Sequence, residues 1–584
     1  MKVLNGVSVS PGIAIGTAVV IDAEGHRVSP RHIEASQVDA EVSRMREAFA
    51  AAAREARERQ QAIAKEYGRP ISDILGAHAQ LLEGPILFRK AESLIRENRW
   101  GAEYAVSQVM SDIAASLSSR LGTESRWATR SADLFDIEQQ ILQQLMGQRR
   151  QQLRSRQGPL IILAADLSPS ETANLDPTQV HGLATEGGGK ASHTAIIAGA
   201  LGLPAVVGIG SFLDEVTDGS TVIVDGQLGQ VIIDPDEETL RKYQSRQNEF
   251  KNLEQKWLEL RDIPAVTRDD HRIVLLGNIE FPHEASHCKD RGAEGVGLYR
   301  TEFLYLGKSE DPTEEVHFEA YLEVLRELGP ERPVVIRTLD LGADKFHMAS
   351  WKVEPERNPF LGVRSIRLCL QNLSLFKTQL RAILRASRYG NVRIMFPMIS
   401  TLAEIRQCKM VLNEVQEDLH EAGIPFNERI PVGTMIEVPS AAIMAEHFAR
   451  EVDFFSIGTN DLAQYTLAAD RTNENLADLY SPADPAVLRL MRGIVDAAHK
   501  AKIEVNICGE MSGDPLYTLL LLGMGLRQLS LTPQHIPEIK SVIRSVTMTE
   551  AKRVADEAMR LDTARDVLTY LREQNRRLVP EAFD

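Results

Sequence analysis

Cysteine is scarce. The chain of 584 residues holds four, Cys288, Cys369, Cys408 and Cys508, all in its second half and none in a CxxC pair. That excludes a zinc-ribbon site and a disulfide framework, and free thiols fit a reducing cytosol. Positive charge is short as well: 82 acidic against 66 basic residues leaves a net charge of −16. A nucleic-acid binder needs a basic footprint, so that class is excluded, while a compact basic partner would be favoured. Long apolar runs are missing. The densest, Leu519 to Leu526, contains two glycines and falls far short of the ~20 residues that span a bilayer. The opening MKVLNGVSVSPGIAIG has one lysine and no continuous apolar core, so it does not read as a signal peptide. No membrane insertion and a cytoplasmic location are expected. Hydrophobic residues at 43% and charged residues at 25% exclude general disorder and a fibrous repeat.

At roughly 100–200 residues per domain, this length predicts three or four domains, or a large barrel with companions. Residues 1–28 are rich in Val, Ile and Gly and read as short strands. Residues 29–148 are rich in Ala, Arg, Glu and Gln and nearly free of Pro. There Ser36 is a plausible N-cap, and Val38, Val42, Met45 and Phe49 follow at helical spacing. Residues 149–235 return to β-branched runs, PLIILAADL, PAVVG, TVIVDG and QVIID, bounded by Gly, Pro and Asp. The pattern predicts an α/β domain built from 1–28 and 149–235, with a helical bundle inserted at 29–148. A polar helix is expected within 236–264, with Tyr243, Phe250 and Trp257 every seventh residue and Pro264 ending it. It reads as a linker between domains, or as a helix packed on one of them.

Residues 265–584 alternate strand-like runs with helical stretches: RIVLLGNIE, GVGLYRTEF, PVVIRTLDLG, VRIMFPMIS, PVGTMIEVP, VDFFSIGTND, EVNICGEM and LRQLSL. Eight parallel βα units predict a (β/α)8 TIM barrel, whose catalytic groups sit at the C-terminal ends of the strands. Those ends carry Arg300, Thr301 and Glu302; Arg337 and Asp340; Glu437; Asn460 and Asp461, with Arg471 following; and Cys508 and Glu510. Three arginines suit a polyanion, because guanidinium grips phosphate or carboxylate in a bidentate fork. Glu437 and Asp461 are hard oxygen ligands suited to Mg²⁺. Cys508 is a weak acid able to give a proton, although alone it would read as a packing thiol. The implied ligand is a small phosphorylated acid beside Mg²⁺. A second site is TEGGGKASHTAIIAGALGLPAVVG. Its glycines permit close backbone approach, and His193 stands at the start of a helix, where an anion is attracted and a phosphoryl group could be carried.

GGGKASHTAIIAGALGLPAVVG resembles the swivelling phosphohistidine domain of the phosphoenolpyruvate-utilising enzymes. GVGLYRTEFLYL, VIRTLDLGADK, NPFLGVRSIRL, GTMIEVPSA, DFFSIGTNDLAQYTLAADR and ICGEMSGDP resemble that family's barrel. Order, length and early inserted helices resemble the enzyme I members, of the bacterial sugar phosphotransferase system. The resemblance implies that His193 is the phosphorylated residue, that Arg300, Arg337 and Arg471 bind phosphate with Asn460 beside them, and that Glu437 and Asp461 ligate Mg²⁺. It implies that Cys508 protonates the enolate. Arg364 resembles a further pocket arginine and Lys345 a nearby basic residue. It also implies transfer from phosphoenolpyruvate to His193 and on to the phosphocarrier protein HPr, docked on the inserted bundle near His78 and Glu83. A homodimer through the barrel is implied too. A nitrogen-branch-type regulatory phosphotransferase acting on an HPr-like carrier is the alternative. The chain departs from the family at Lys190 and Ala191, where Arg-Thr is common, and at Ala463, where Thr is common.

Overall fold

A computed structural model describes residues 1–21, 37–67, 85–121, 158–165, 179–189, 202–213, 219–305, 311–342, 358–471 and 479–580 as continuous stretches. Residues 33, 141–142, 144–145, 167, 194, 198–199, 216, 473 and 476 are described between them. Two compact units result, Met1–Ala198 with Leu203–Tyr243, and Gly199–Gly202 with Gln244–Asp584.

The first unit holds a mixed sheet of β1 (Lys2–Asn5), β2 (Val7–Ser10), β3 (Ile13–Ile21), β4 (Leu160–Ala164), β5 (Val180–Thr185), β6 (Ala205–Val207), β7 (Thr221–Asp225) and β8 (Gln230–Ile233). Its order is β1-β8-β7-β3-β4-β5-β6-β2. The central β3–β4–β5–β6 run is parallel, and β7, β8, β1 and β2 pair antiparallel around it. The expected runs became β4, β6, β7 and β8. β5 was not among them, because His181 and Gly182 interrupt its apolar run. Gly182 is needed there: a Cβ would come within 2.7 Å of the Ala14 Cβ.

The helices Val38–Tyr67, Pro85–Asn98 and Ala102–Leu121 bury one face each. Val42, Met45 and Phe49 pack with Leu87, Ile95, Ala105 and Val106, as the helical spacing requires. Arg44 bridges Glu41 at 2.6 Å and Glu103 at 2.7 Å, and Glu41 also accepts the Ala102 N–H at 2.9 Å. Ser36 lies outside the described residues. The polar helix runs Glu237–Glu259. Asp236 starts it by accepting the Thr239 N–H at 2.8 Å. Tyr243 is buried with Ile13, Ile223 and Ile232, whereas Phe250 meets Trp257 edge-on at 6.3 Å.

The second unit opens with β9 (Ala265–Val266), a short antiparallel partner of β10 (Arg272–Ile279). β11 (Val296–Tyr299), β12 (Val334–Arg337), β13 (Val392–Phe396), β14 (Val432–Ile436), β15 (Phe454–Ile457), β16 (Glu504–Ile507) and β17 (Gln528–Leu531) follow. Each is parallel to its neighbours, and β10 pairs with both β11 and β17, so the eight strands close into a barrel. These are the eight expected strands. Parallel strands covered on both faces read as continuous apolar runs, and Leu298, Val335, Met395, Met435 and Phe454 fill the interior with Cys508. Outer helices have firm starts: Thr401 and Thr547 form capping boxes with Glu404 and Glu550. Among the described residues no helix is long and apolar enough to cross a membrane.

Candidate active site

Most barrel strands stop at or just before a charged or polar residue, so the strand ends deliver those groups to one rim. Glu280 follows β10 and Arg300 follows β11. The two pair at 2.6 Å. Burial pushes the Glu280 carboxyl up, although Arg300 pulls the other way.

Arg337 ends β12. Its Nη2 meets Glu302 Oε1 at 2.7 Å and its Nη1 meets Asp340 Oδ2 at 3.0 Å. The other Asp340 oxygen holds Arg364 Nη2 at 3.0 Å, and Arg364 Nη1 reaches the Tyr465 hydroxyl at 3.5 Å. Burial opposes ionisation of Asp340, yet Arg364 and Arg337 hold its carboxyl well below the usual range. The backbone is braced from behind by buried Gln379. Its Oε1 accepts the Leu339 N–H at 3.0 Å, and its Nε2 donates to Thr301 Oγ1 at 2.9 Å.

Glu437 follows β14 and is 1% exposed. Its Oε1 accepts the Met398 N–H at 2.6 Å. Met398 has φ of 55°, a left-handed backbone that costs a non-glycine residue about 1–2 kcal/mol; this strain aims its N–H at the carboxylate. Gly458 makes room for the other oxygen, since a Cβ there would lie 2.7 Å from Oε2. Burial pushes the Glu437 carboxyl well up, and the charges of Asp461 and Asp340 push it further, against Arg337.

Asn460 and Asp461 lie in the first turn of the helix Thr459–Leu467. Asn460 donates to Glu510 Oε1 at 2.9 Å and accepts the Glu510 N–H at 3.2 Å. Cys508 follows β16 and is 3% exposed. Its thiol is pushed up to about 11, first by burial and then by Glu437; a hydrogen bond from Ser456, and Arg337 and Arg300, act against this.

Arg300, Arg337, Arg364, Glu437, Asp461 and Cys508 therefore share one electrostatic neighbourhood. Asn460 and Arg471 join it through Tyr480, whose hydroxyl donates to the Asn460 carbonyl at 3.2 Å and whose phenol feels Arg471 and Asp461. Buried polar atoms of this rim without a partner among the described residues include Arg337 Nε, Arg364 Nε, Arg471 Nε, Glu280 Oε2, Glu437 Oε2 and Asp461 Oδ1. More than nine-tenths of buried polar atoms in folded proteins are paired. Donors for an anion and oxygens for a cation thus stand open together. No group of three or more His, Cys, Asp or Glu gathers for a metal among the described residues. The open oxygens of Glu437 and Asp461 nonetheless fit Mg²⁺, which binds through one or two carboxylates plus its substrate.

His193, Lys190, Ala191, Lys345, His78 and Glu83 lie outside the described residues. Nearby, the glycine-rich turn is tied down by Glu186, whose Oε1 accepts the Phe212 and Leu213 N–H groups at 2.7 and 2.9 Å. Thr194 is buried in helical backbone and donates to the Leu167 carbonyl at 3.3 Å. The sequence reading passed over Glu280, Ser456 and Asn278. Glu280 had the same signal as its neighbours, a charge closing the run RIVLLGNIE. The other two are uncharged strand residues and gave none.

The PEP-binding domain model of the PEP-utilising enzymes matches residues 254–548, their N-terminal model 5–125 and their mobile-domain model 157–229. The phosphoenolpyruvate-protein phosphotransferase of Bacillus sp. (strain S) is 41% identical over 571 residues, 98% of either chain. That of Bacillus subtilis (strain 168) is 40% identical over 573 residues, 98% of this chain and 100% of its own. A solution structure of Enzyme I covers 42% of this chain and 99% of its own at 34% identity, with a TM-score of 0.24. With one model spanning half its length and such relatives aligning nearly end to end, the chain belongs to the phosphoenolpyruvate-utilising enzyme family, alongside its phosphoenolpyruvate-protein phosphotransferases.

Proposed function

We propose that the chain transfers the phosphoryl group of phosphoenolpyruvate to its own His193, releases pyruvate, and passes the group to the phosphocarrier protein HPr as the first step of a sugar phosphotransferase system. One observation carries the reading of the barrel: open guanidinium nitrogens and open carboxylate oxygens converge at the C-terminal ends of its strands. The 40–41% identity to phosphoenolpyruvate-protein phosphotransferases supports the rest.

In this reading Arg300, Arg337 and Arg471 hold the phosphoryl oxygens, with the Asn460 amide beside them. The carboxylates of Glu302 and Asp340 fix the Arg337 fork by its Nη atoms, which leaves Nε for the substrate. Glu437 and Asp461 hold Mg²⁺, which when bound supplies positive charge against the substrate oxygens. His193 attacks phosphorus in line, so its attacking nitrogen must be unprotonated. The N–P bond forms as the bond to the enol oxygen breaks, and the electron pair leaves with pyruvate enolate. Cys508 then gives its thiol proton to the methylene carbon. A thiol held near 11 keeps that proton at neutral pH until the carbanion-like carbon takes it.

Residues 1–28 with 149–235 are assigned to the phosphohistidine domain, 29–148 to HPr docking, 236–264 to the linker, and 265–584 to substrate binding and homodimer formation. HPr as acceptor, the homodimer and a cytoplasmic location rest on the family. The bundle has no catalytic set of its own among the described residues, which leaves a binding role open. Incubation with phosphoenolpyruvate labelled in its phosphoryl group tests the reading. An acid-labile, base-stable label on His193 that chases into HPr is expected. No such label, with Mg²⁺ present, refutes it.

A further inference from the structure

Four hydrogen bonds fix Cys508 in place, the weakest a long one from its own thiol to the Ile457 carbonyl. Its N–H donates to the Ile457 carbonyl at 3.1 Å. Its carbonyl accepts Asn278 Nδ2 at 3.0 Å, and Ser530 Oγ orients that amide by donating to Asn278 Oδ1 at 2.6 Å. Its sulfur accepts the Ser456 hydroxyl at 3.1 Å. Ser456 lies on β15 opposite Asn506 of β16 and is fully buried.

A buried serine commonly gives its proton to a backbone carbonyl. Among the described residues this one gives it to a sulfur, a weak acceptor while it remains a neutral thiol. That bond gains most when the sulfur becomes a thiolate, because hydrogen bonds to ionised acceptors are about twice as strong. We infer that Ser456 is a positioning residue for proton delivery: its hydroxyl aims the Cys508 thiol and holds the negative charge that forms on the sulfur as the proton leaves. The inference rests on the reading of Cys508 as proton donor. The S–H bond breaks, a C–H bond forms at the methylene carbon of enolpyruvate, and the S–H electron pair stays on sulfur facing Ser456. Water later returns a proton to the sulfur. The other charged groups felt by the sulfur are Glu437, Arg337 and Arg300, and its own thiol donates to the Ile457 carbonyl at an Sγ···O distance of 3.7 Å. An interaction that strengthens only as charge develops raises kcat and leaves ground-state binding alone.

The test uses the full chain with phosphoenolpyruvate, Mg²⁺ and an HPr acceptor. S456A is expected to lower kcat for pyruvate release about 10–100-fold with KM unchanged. Its solvent deuterium isotope effect should rise, and S456T should restore the rate. Should S456A not fold, the isosteric pair S456T and S456V repeats the comparison. Wild-type kcat in S456A or S456V, or a loss that appears in KM and is not rescued by S456T, overturns the inference. C508A in parallel separates the two readings: full-speed release by C508A removes the proton-donor role itself, whereas slow C508A beside normal S456A removes only the role of Ser456.

Discussion

Replacing Glu437 by Gln should make the metal-free barrel more stable while removing its response to Mg²⁺. The amide keeps the acceptor for the Met398 N–H and removes a charge that is buried, has one oxygen without a partner and is repelled by Asp461. An unsatisfied buried polar group costs about 1–3 kcal/mol. The second compact unit has about 340 residues, so its unfolding entropy is roughly 0.7 kcal/mol/K and its Tm should rise by about 1–4 °C. The effect has a sign in pH. The folded state raises this carboxyl, so it binds a proton that the unfolded chain releases above about pH 4.3. Wild-type stability from this group is therefore full below that pH and falls as pH rises toward the folded value. The advantage of E437Q should grow over that window and then level off. With Mg²⁺ at 100 times its Kd the wild type gains about 2.7 kcal/mol, or roughly 4 °C, and the variant gains little. Calorimetric melting of both proteins at pH 5 and 8, in EDTA and in Mg²⁺, reads all of this. A variant that melts below wild type in EDTA at pH 8, and responds to Mg²⁺ as wild type does, would refute the reasoning.

C508A should still accept the phosphoryl group but release pyruvate about 10²–10⁴-fold more slowly, read by a single-turnover pyruvate assay. With the thiol pushed up to about 11, the wild-type release rate should show no loss through ordinary cysteine titration near pH 8.5; a break there would contradict the burial argument. D340N removes the one partner shared by Arg337 and Arg364 and should cost about 3–5 kcal/mol in denaturant unfolding. Because those arginines hold Asp340 low, the wild-type contribution is present above about pH 3.9 and is lost as pH falls through the folded value. The gap to D340N should close in acid. Q379L strands the Leu339 N–H and the Tyr321 and Thr301 hydroxyl contacts, and should destabilise by about 1–3 kcal/mol by the same measurement.

The barrel was legible because its strands are covered on both faces. VVIR, VGTMI and FFSI are mostly apolar, fully buried stretches, and a charge ends each run or follows within a few residues, so strand ends and candidate site residues were read together. β5 was hidden by Gly182, which serves close approach to Ala14 rather than strand formation. Pairings were not legible. Arg337 and Glu302 lie 35 residues apart, Gln379 and Thr301 78, and Ser456 and Cys508 52; tertiary packing, with β11 beside β12 and β15 beside β16, brings them together. The sequence suggested arginines waiting for an anion. The structure shows each of Arg300, Arg337 and Arg364 already held by a carboxylate.

If the proposed metal and substrate sites hold, those carboxylates would make the two bind together. Arg300, Arg337, Arg364 and Arg471 bring four positive charges, against five ionisable carboxyls at Glu280, Glu302, Asp340, Glu437 and Asp461. A further polyanion entering alone would be repelled by any carboxylates left ionised, and burial already drives Glu280 and Glu437 toward their protonated forms. A divalent cation bound by Glu437, as proposed, would reverse this there, because a ligating carboxylate must give up its proton. Mg²⁺ binding should therefore release protons wherever Glu437 still carries one. A weakly buffered solution with a pH indicator would record the release, and the E437Q protein should lose it. Equal release from the two proteins would place the cation elsewhere. No release from either would mean that the buried carboxyl is already ionised, against the repulsion that Asp461 and Asp340 exert on it.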